Sequence, residues 1–442
     1  MLTLSKLDYL DNNNHKQKEQ EQEQEQEDYD YNTRVLSGLD NLHNTCYINS
    51  IIQVLCGTDI LTMYFLNDKF KEDLFDNLDK NNENLTEKKL HRLKNSSVTY
   101  IFYRLIKQMW RENCLIRPCT FKKLVQEKIE MTRGDNQEDA SEFLIFLLEE
   151  FEKDLKCDCN VTNDSIITPK MEEFIDRYSY LFNMTEEDCN EEENNNRIDE
   201  LLLYKKQNFN EYQKYKYLEF WKKYLKQNGG NYSIIIDIFT FTNITSIRCS
   251  NCENTSIMFE PDNMMKLSVP YSKEDINLID LIKSESETVE SLIGDNKYHC
   301  NICDSKQDAY KNFKFWDFPE RLIIHLKLFE HKIININGEY RQITKKINTT
   351  VNYPMVLDLN GINENNNDIE YKYELYALVK HMGSVRGGHY VSYVKNPLNY
   401  RWFYFDDESV YPASENRVKT ESPYILFYRR IINDGDSSSD ED

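Results

Sequence analysis

Apolar residues recur with two different periods along this chain, and the change of period divides it into two parts. From residue 46 to about residue 152 they recur every three or four positions, as at Ile48, Ile51 and Leu55, which is the spacing of amphipathic helices. From about residue 234 onward, short runs rich in β-branched and aromatic residues predict strands. These runs are 234–236, 321–326, 373–379, 389–394, 402–405 and 424–428. The pattern predicts an α+β fold with helices first and an antiparallel sheet after them.

Three polar stretches flank or interrupt this pattern. Residues 12–30 are largely Asn, Gln, Glu and Lys, which cannot repay the entropy of ordering, so we predict a disordered leader over 1–37. Residues 434–442 contain five acids and no apolar residue, which predicts a disordered acidic tail over 431–442. We interpret about 152–230 as an insertion, in which the aromatic residues of 212–224 have the spacing of an amphipathic helix.

Composition narrows the class of protein. The 442 residues include 54 Lys+Arg and 76 Asp+Glu, for a net charge of −22, and this acidic balance argues against nucleic acid as a partner. The 30 Tyr and 22 Phe supply enough apolar surface for a sizeable core. Without a run of 18 apolar residues or a secretory signal, we expect no membrane insertion and an intracellular protein, cytoplasmic or nuclear.

The segment 38–50 contains the first candidate for chemistry. Asn44 or Thr45 is suited to capping a helix that begins near Cys46, which places the cysteine in the first helical turn. There the free N–H groups and the helix dipole favour a thiolate, so Cys46 is predicted to be a nucleophile. The alternative is a buried cysteine that acts as a small apolar residue.

The base that such a nucleophile needs is found near the end of the chain. His389 opens a predicted strand, and the next predicted strand ends in Asp406 and Asp407. An antiparallel return brings a carboxylate beside His389, and Cys, His and Asp together are typical of thiol acyl-transfer enzymes. His381 is the alternative base, although outside the predicted strand it is expected to support the loop. Asp407 is either a solvated turn acid or an auxiliary near the oxyanion or His389.

Eleven cysteines over this length are too few, and odd in number, for a disulfide scaffold. Four of them form two Cys-x-x-Cys pairs that predict one structural tetrahedral zinc site. The predicted ligands are Cys249, Cys252, Cys300 and Cys303. A redox pair is the alternative, and the acids between the pairs argue against a nucleic-acid-binding zinc ribbon.

Several motifs together resemble the ubiquitin-specific protease family of deubiquitinases. They are the segment around Cys46, the box 137–143, the box 388–390 with 402–410, and the closing segment 424–429. The resemblance implies a papain-like catalytic domain over 38–430. It would comprise a helical thumb (about 38–151), an antiparallel palm and zinc-bearing fingers (about 231–430, with the fingers at about 245–315), and a cleft between thumb and palm.

The resemblance also implies roles for single residues. Cys46 would be the nucleophile, His389 the general base and Asp406 the carboxylate that orients it. Asn41 matches an amide that stabilises the oxyanion. The positions that bind the C-terminal tail of ubiquitin in relatives match Gln137, Asp139, Glu142 and Tyr390. Acids there would make charge-assisted hydrogen bonds with the basic tail.

The expected activity is thiol-dependent hydrolysis of isopeptide or peptide bonds after the C-terminal glycine of ubiquitin. Its partners would be ubiquitin and ubiquitinated proteins, and its cofactor one structural zinc. The alternatives are a catalytically impaired ubiquitin-binding scaffold and a protease for a ubiquitin-like modifier. His43 replaces a glycine that is common in the family, so we expect a backbone with positive φ and some crowding of the tail.

Overall fold

Helices fill the first part of the chain and strands the rest. The computed structural model describes residues 33–80, 87–158, 203, 205–227, 231–336, 339–365, 369–384 and 387–432. The predicted leader up to residue 32, the acidic stretch 183–200 and the tail from residue 433 lie outside the described residues. The described helices are α1 (Cys46–Cys56), α2 (Asp59–Leu66), α3 (Lys69–Lys80), α4 (Glu87–Ser96), α5 (Val98–Arg111), α6 (Cys119–Lys128), α7 (Ala140–Asp154), α8 (Phe209–Gln227), α9 (Ile234–Phe239), α10 (Leu278–Glu287) and α11 (Glu415–Lys419).

Most strands follow α9 and belong to one large and several small sheets. They are β1 (Cys157–Asp158), β2 (Asn231–Tyr232), β3 (Phe241–Cys249), β4 (Thr255–Asp262), β5 (Met265–Ser268), β6 (Ile276–Asn277), β7 (Val289–Leu292), β8 (Tyr298–Cys300), β9 (Ser305–Gln307), β10 (Ala309–Phe315), β11 (Arg321–Lys327), β12 (Phe329–Ile336), β13 (Glu339–Lys346), β14 (Val351–Asn352), β15 (Val356–Asp358), β16 (Lys372–Ser384), β17 (Gly387–Lys395), β18 (Trp402–Asp406), β19 (Ser409–Ala413) and β20 (Ile425–Arg430).

The largest sheet has eight strands in the order β19-β18-β17-β16-β20-β11-β5, with β15 paired to β16. Its pairs are antiparallel except β11 with β5. A second, four-stranded antiparallel sheet has the order β4-β3-β10-β7. The α+β class predicted from the change of period is therefore confirmed.

Helix α1 lies at the centre of the molecule, between the other helices and the large sheet. All of its residues are buried, which is expected of a helix that is apolar around most of its circumference. It contacts α7 on one side and β17 on the other. Tyr47 packs edge-on against Phe143 of α7, with ring centroids 5.5 Å apart. The segment that carries Cys46 is thus held between two rigid layers.

The amphipathic helix predicted within the insertion is present as α8. Its buried residues include Tyr212, Tyr215, Leu218 and Trp221, and the helix packs on β4 of the four-stranded sheet. A second apolar cluster joins α8 to that sheet and to the residues around it. Its buried members are Tyr217, Trp221, Leu225, Tyr232, Ile236, Ile244, Phe259 and Trp316.

Two local predictions are wrong. The run 234–236 is not a strand but the first turn of α9. β-branched residues favour strands only weakly, and here burial of nearly all of α9 overrides that preference. His381 is not outside the strand but within β16, where it pairs with Tyr390, because the hairpin continues its pairing as far as the glycines.

The predicted leader boundary at residue 37 is also too late. Val35 and Ser37 are buried, and Asn113 and Asn396 bind the backbone of this segment. Residues 33–37 therefore belong to the packed core. Among the described helices, none is by itself long and apolar enough to cross a membrane, although α1 and α2, bent by 80°, reach that length as a pair.

Candidate active site and metal centre

Cys46 and His389 meet where the first residue of α1 faces strand β17. The Cys46 side chain is the largest influence on the pKa of the His389 ring, so the two groups are close neighbours. The other side of the ring is bound, because Nε2 donates to Oδ1 of Asp406 at 2.6 Å. Nδ1 is therefore the nitrogen left to exchange a proton with the sulfur. The structure thus brings the three predicted catalytic residues together, with the His389 ring between the Cys46 thiol and the Asp406 carboxylate.

The electrostatics of the three residues favour a protonated His389 ring beside a Cys46 thiolate. The hydrogen bond with Cys46, assisted by Asp406, raises the pKa of His389 to about 9, although burial opposes the charge. The ring then holds a proton at neutral pH. A positive imidazolium beside a cysteine at a helix N-terminus favours the thiolate, which is the reactive form.

A second group of hydrogen bonds surrounds Asn41, five residues before Cys46. Its Nδ2 donates to Oδ2 of Asp407 at 2.6 Å, and its Oδ1 accepts from the backbone N–H of Thr45 at 3.1 Å. Asn49 of α1 donates to the other oxygen of Asp407 at 2.8 Å. Asp407 therefore holds the Asn41 amide next to the cysteine, and one Nδ2 hydrogen remains for a further acceptor.

Close backbone packing supports this arrangement. Leu39 donates its N–H to the carbonyl oxygen of Asp407 at 2.8 Å. A Cβ on Gly38 would lie 2.1 Å from the carbonyl oxygen of Glu408, which is far inside van der Waals contact. The turn after β18 reaches the Asn41 segment only because residue 38 has no side chain.

The cleft beside this site has a volume of about 630 Å³ and lies between α7 and the large sheet. We call it the tail cleft. Its lining includes all four predicted tail-binding residues, Gln137, Asp139, Glu142 and Tyr390. The structure therefore places them together, although they are distant in sequence.

The four residues are not equally free to bind a ligand. Asp139 is the N-cap of α7, where Oδ1 accepts from Ser141 at 2.7 Å, and its other oxygen accepts from Tyr424. Gln137 spans the cleft: its Nε2 donates to the Gly388 carbonyl at 2.6 Å and its Oε1 accepts from the Gly388 N–H at 2.7 Å. Glu142 is exposed, so its carboxylate is better placed than that of Asp139 to meet a basic peptide.

His381, the alternative base, has a different environment from His389. Its ring lies among Phe329 and Tyr390, at centroid distances of 5.3 and 4.8 Å. Burial, assisted by nearby Lys346, lowers the pKa of His381 to about 4, so the ring is neutral at pH 7. A Cβ on Gly388 would lie 2.0 Å from its Nε2. His381 thus supports the backbone next to His389.

His43 has the positive φ that its position predicts. Its φ is 62°, and that of the following Asn44 is 51°. His and Asn tolerate this left-handed region better than most residues. The lining of the tail cleft includes neither His43 nor Cys46, so the expected crowding of the tail beside Cys46 stays a prediction.

The two Cys-x-x-Cys pairs meet at the end of the four-stranded sheet. The Sγ atoms of Cys249 and Cys303 are 3.9 Å apart, and those of Cys252 and Cys300 are 3.6 Å apart. Thiolates that share a tetrahedral zinc at about 2.3 Å lie roughly 3.8 Å from one another. All four sulfurs lie within 4.8 Å of each other, so the residues fit a closed Cys₄ site.

These arrangements can be compared with known proteins. The family profile described as "Ubiquitin carboxyl-terminal hydrolase" matches residues 37–428, a range that includes the site and the four cysteines. The chain belongs to this family. The match confirms the resemblance that the motifs carry.

Relatives within the family differ in how much of their length this chain spans. Ubiquitin carboxyl-terminal hydrolase 2 of Homo sapiens is 30% identical over 402 residues, which are 89% of this chain and 55% of that protein. Ubiquitin carboxyl-terminal hydrolase 4 of Saccharomyces cerevisiae is 27% identical over 422 residues, or 89% of this chain and 39% of that protein. The chain thus spans about half the length of these relatives or less.

A solved structure has the same fold. It is the SAGA DUB module of Ubp8, Sgf11, Sus1 and Sgf73 bound to ubiquitin aldehyde. Its matching chain is 19% identical, with a TM-score of 0.58, and the match covers 91% of this chain and 71% of that one. At this identity the likeness supports the fold alone.

Three contacts of this family member were not anticipated from its sequence. Asn49 binds Asp407, and Gln137 binds the Gly388 backbone. Tyr404, expected only as a strand residue, donates its hydroxyl to Oδ2 of Asp406 at 3.1 Å. Asn49 lies one helical turn after Cys46, which was the available signal that it faces the same way. Tyr404 and Asp406 share a strand face by alternation, and this alternation is the sequence signal for their contact.

Proposed function

We propose that this chain is a thiol-dependent deubiquitinase. It hydrolyses the isopeptide or peptide bond after the C-terminal glycine of ubiquitin, and its partners are ubiquitin and ubiquitinated proteins. Membership of the family supports the reaction class. The observation that carries the proposal is the line of Cys46, His389 and Asp406 at the edge of the tail cleft.

Acylation begins from the charged pair. The Cys46 thiolate attacks the carbonyl carbon of the terminal glycine, and the carbonyl π electrons move to the oxygen. The imidazolium of His389 then donates its proton to the leaving amine as the carbon–nitrogen bond breaks, which leaves a thioester on Cys46. Asp406 stabilises the positive ring and holds its orientation.

The negative oxygen of the tetrahedral intermediate needs donors. Asn41 supplies the Nδ2 hydrogen that is not bound to Asp407, and the first-turn amides of α1 lie beside it. Deacylation repeats the chemistry with water as nucleophile and His389 as base, and it releases ubiquitin with a free carboxylate. In this scheme Asp407 is an auxiliary residue that positions Asn41.

The tail cleft supplies selectivity for a narrow, basic C-terminal peptide. Glu138 and Glu142 line it together with Asp139, and burial, assisted by Glu142 and Asp139, raises the pKa of Glu138. Such crowding of like charge is relieved when a cationic peptide enters. Tyr390 supplies an apolar wall for the terminal glycines.

We further propose one structural zinc held by Cys249, Cys252, Cys300 and Cys303. When bound, the ion links the β3–β4 turn to the β8–β9 turn and takes no part in the reaction. In this proposal the catalytic domain is the predicted range 38–430 together with the packed residues 33–37. Its thumb is at about 38–151, its insertion at about 152–230, and its palm and fingers are at about 231–430.

The test is cleavage of ubiquitin that carries a fluorogenic amine on its C-terminal carboxylate. The wild-type chain should release the amine, and Cys46→Ala should not, because no other group can form the thioester. A ubiquitin probe with a C-terminal electrophile should label Cys46, identified by peptide mass spectrometry. Cys119→Ser, at an exposed cysteine away from the histidine, is the matched control and should keep full activity.

Different outcomes lead to different conclusions. Binding of ubiquitin without cleavage or labelling by the wild-type chain would support the scaffold alternative. If a probe made from a ubiquitin-like modifier labels Cys46 in preference to the ubiquitin probe, the chain is a protease for that modifier. Continued cleavage by Cys46→Ala would refute the proposed mechanism.

A further inference from the structure

Tyr404 lies two residues before Asp406 on strand β18. Successive side chains of a strand point to opposite faces, so residues two apart share a face. The Tyr404 hydroxyl donates to Oδ2 of Asp406 at 3.1 Å, whereas Oδ1 of the same carboxylate accepts from His389 at 2.6 Å. Each oxygen of Asp406 therefore has its own donor.

The Tyr404 ring is held from three sides. It pairs across the sheet with Tyr393 of β17 and with Tyr411 of β19, at centroid distances of 4.9 and 6.4 Å. The guanidinium carbon of Arg417 in α11 lies 5.0 Å from the ring centroid. Such cross-strand aromatic pairs and cation–π contacts restrict the ring to one position, which fixes the direction of the hydroxyl.

The carboxylate of Asp406 needs this second contact because it is not otherwise enclosed. Its side chain is 36% exposed, so a free Oδ2 would be hydrated and the group would rotate about its χ angles. Burial, assisted by Asp406, raises the pKa of Tyr404 to about 12. The hydroxyl therefore keeps its proton and remains a donor at neutral pH.

We propose that Tyr404 is a positioning residue for the reaction: it orients Asp406 so that the carboxylate stays aligned with His389. This inference rests on the proposed function, because it deepens the same site. Tyr404 acts through Asp406 and touches no reacting atom. Loss of the Tyr404 hydroxyl should destabilise the protonated ring of His389, and the fraction of Cys46 present as thiolate should fall as a result.

The first measurement is kinetic and uses Tyr404→Phe, which keeps the ring and removes only the hydroxyl. Because Asp406 is partly exposed and Tyr404 acts only through it, the typical net contribution of one hydrogen bond applies. It predicts that kcat for the fluorogenic ubiquitin amide falls about 3- to 10-fold, with KM unchanged. Tyr411→Phe is the matched control, because its ring stacks on Tyr404 and its side chain is 55% exposed. That control should match the wild type.

A double-mutant cycle separates positioning from a general structural effect. In an Asp406→Ala background, Tyr404→Phe should cause no further loss of kcat, because its only route to His389 has been removed. An equal loss in both backgrounds, or wild-type kcat in Tyr404→Phe alone, would overturn the proposal. The melting temperature of each variant reports whether the fold is retained.

A second measurement does not depend on ubiquitin. The rate at which iodoacetamide alkylates Cys46, followed by mass spectrometry of its peptide between pH 4 and 9, reports the thiolate directly. In Tyr404→Phe the pH at which the alkylation rate reaches half of its maximum should rise by about 0.5 unit. This shift corresponds to a roughly threefold change in the ionisation constant of the thiol. If the wild-type chain cleaves no ubiquitin amide yet this shift is found, the proposed function fails and the positioning role stands. An unchanged midpoint refutes the positioning role.

Discussion

Asp407 lies one residue after strand β18, with a positive φ of 48°, and has two hydrogen-bonded partners. Its side chain is 11% exposed, and each oxygen binds an asparagine amide. Asp406, its neighbour, binds His389. Under the proposed function the two consecutive acids have different hydrogen-bonded partners, because the left-handed residue turns the second carboxylate toward Asn41. Oδ2 of Asp407 also lies 4.0 Å from Nε2 of His389.

Because Asp407 binds Asn41 whereas Asp406 binds His389, we expect Asp407→Ala to lower kcat at least as much as Asp406→Ala does. Without Asp407 the Asn41 amide loses its orientation, and the loss of one oxyanion donor lowers kcat by about 10²-fold or more. The measurement is kcat and KM on the fluorogenic ubiquitin amide, with KM expected to stay near the wild-type value. Glu408→Ala, at the exposed next position, is the control. Wild-type kcat in Asp407→Ala would remove Asp407 from the scheme.

His43→Gly should stabilise the protein, and relief of the expected crowding of the tail should raise its rate of ubiquitin cleavage. The left-handed conformation costs a non-glycine residue roughly 1–2 kcal/mol, and glycine loses about 0.5–1 kcal/mol through its greater entropy in the unfolded chain. The free energy of unfolding in urea should therefore rise by roughly 0.5–1 kcal/mol. Asn44→Gly should gain less, because Asn44 also donates to the Asp135 carbonyl at 2.7 Å. A fall in kcat/KM of His43→Gly at low pH would show instead that His43 assists the thiolate.

At the scale of elements, two additions flank the four-stranded sheet. The cysteine pairs lie in turns at its end, where short strands such as β8 and β9 have little apolar surface of their own. Helix α8 covers one face with aromatic rings. Helix α8 adds apolar contacts to this sheet, and a metal ion held by the four cysteines would tie its end together.

The cysteine pairs predict one zinc ion per chain in protein purified without chelators. Cys252→Ser should lower the zinc content and the affinity for ubiquitin, because binding energy at such a site is folding energy. Metal content is measured by plasma mass spectrometry, and Cys119→Ser is the control. Native wild-type protein that holds no zinc, with an unchanged melting temperature, would argue against the site.

Helix α8 is predicted to be an integral part of the fold. Trp221 is 7% exposed in the cluster that α8 forms with the sheet, so Trp221→Ala should lower the free energy of unfolding by about 3–5 kcal/mol. Lys222→Ala, at an exposed position of the same helix, should change it by less than about 0.5 kcal/mol. Equal stability of the two variants in urea titrations would mean that α8 does not support the sheet.

At the scale of the whole molecule, a row of charges joins the helices to the large sheet. Arg321 of β11 binds Asp59 of α2 at 2.7 Å, and Arg429 of β20 binds Glu374 of β16 at 2.5 Å. Burial opposes the charge on Asp59, yet Arg321 lowers its pKa, and Arg429 does the same for Glu374 against burial. The Arg321–Asp59 pair thus ties α2 to the large sheet.

Removal of one partner should leave a buried charge without compensation. Asp59→Asn is expected to lower the free energy of unfolding by about 3–5 kcal/mol at pH 7. Because the folded pKa lies below the unfolded one, this contribution is present above about pH 4 and is lost as the pH falls further. The stability of Asp59→Asn should therefore depend less on pH between 5 and 3.

The control for this experiment is an ion pair on the surface. Arg117 binds Asp40 at 2.6 Å, but its side chain is 74% exposed. Asp40→Asn should cost less than about 1 kcal/mol. Equal losses in the two variants, measured by urea unfolding at each pH, would refute a special role for the buried pair.

The sequence alone determined the features that depend on local period and on residue type. Period separated helices from sheet, the predicted start of α1 identified Cys46, and two Cys-x-x-Cys pairs predicted the metal site. The predicted side-chain cap is absent, because Thr45 is the N-cap residue but makes no capping hydrogen bond. The predicted strand at His389 and the return to Asp406 placed base and carboxylate together, because the side-chain alternation of a hairpin is set by its register. The strand itself begins two residues earlier, at Gly387.

Only the tertiary structure decided which atoms of these residues meet and which neighbours they share. Local propensity could not reveal that 234–236 would be buried as a helix, that His381 lies within a strand, or that residues 33–37 pack on the core. The contacts of Asp407 with Asn41, of Gln137 with Gly388 and of Tyr404 with Asp406 depend on the direction of side chains. That direction is set by packing between distant segments, which no single segment of the sequence encodes.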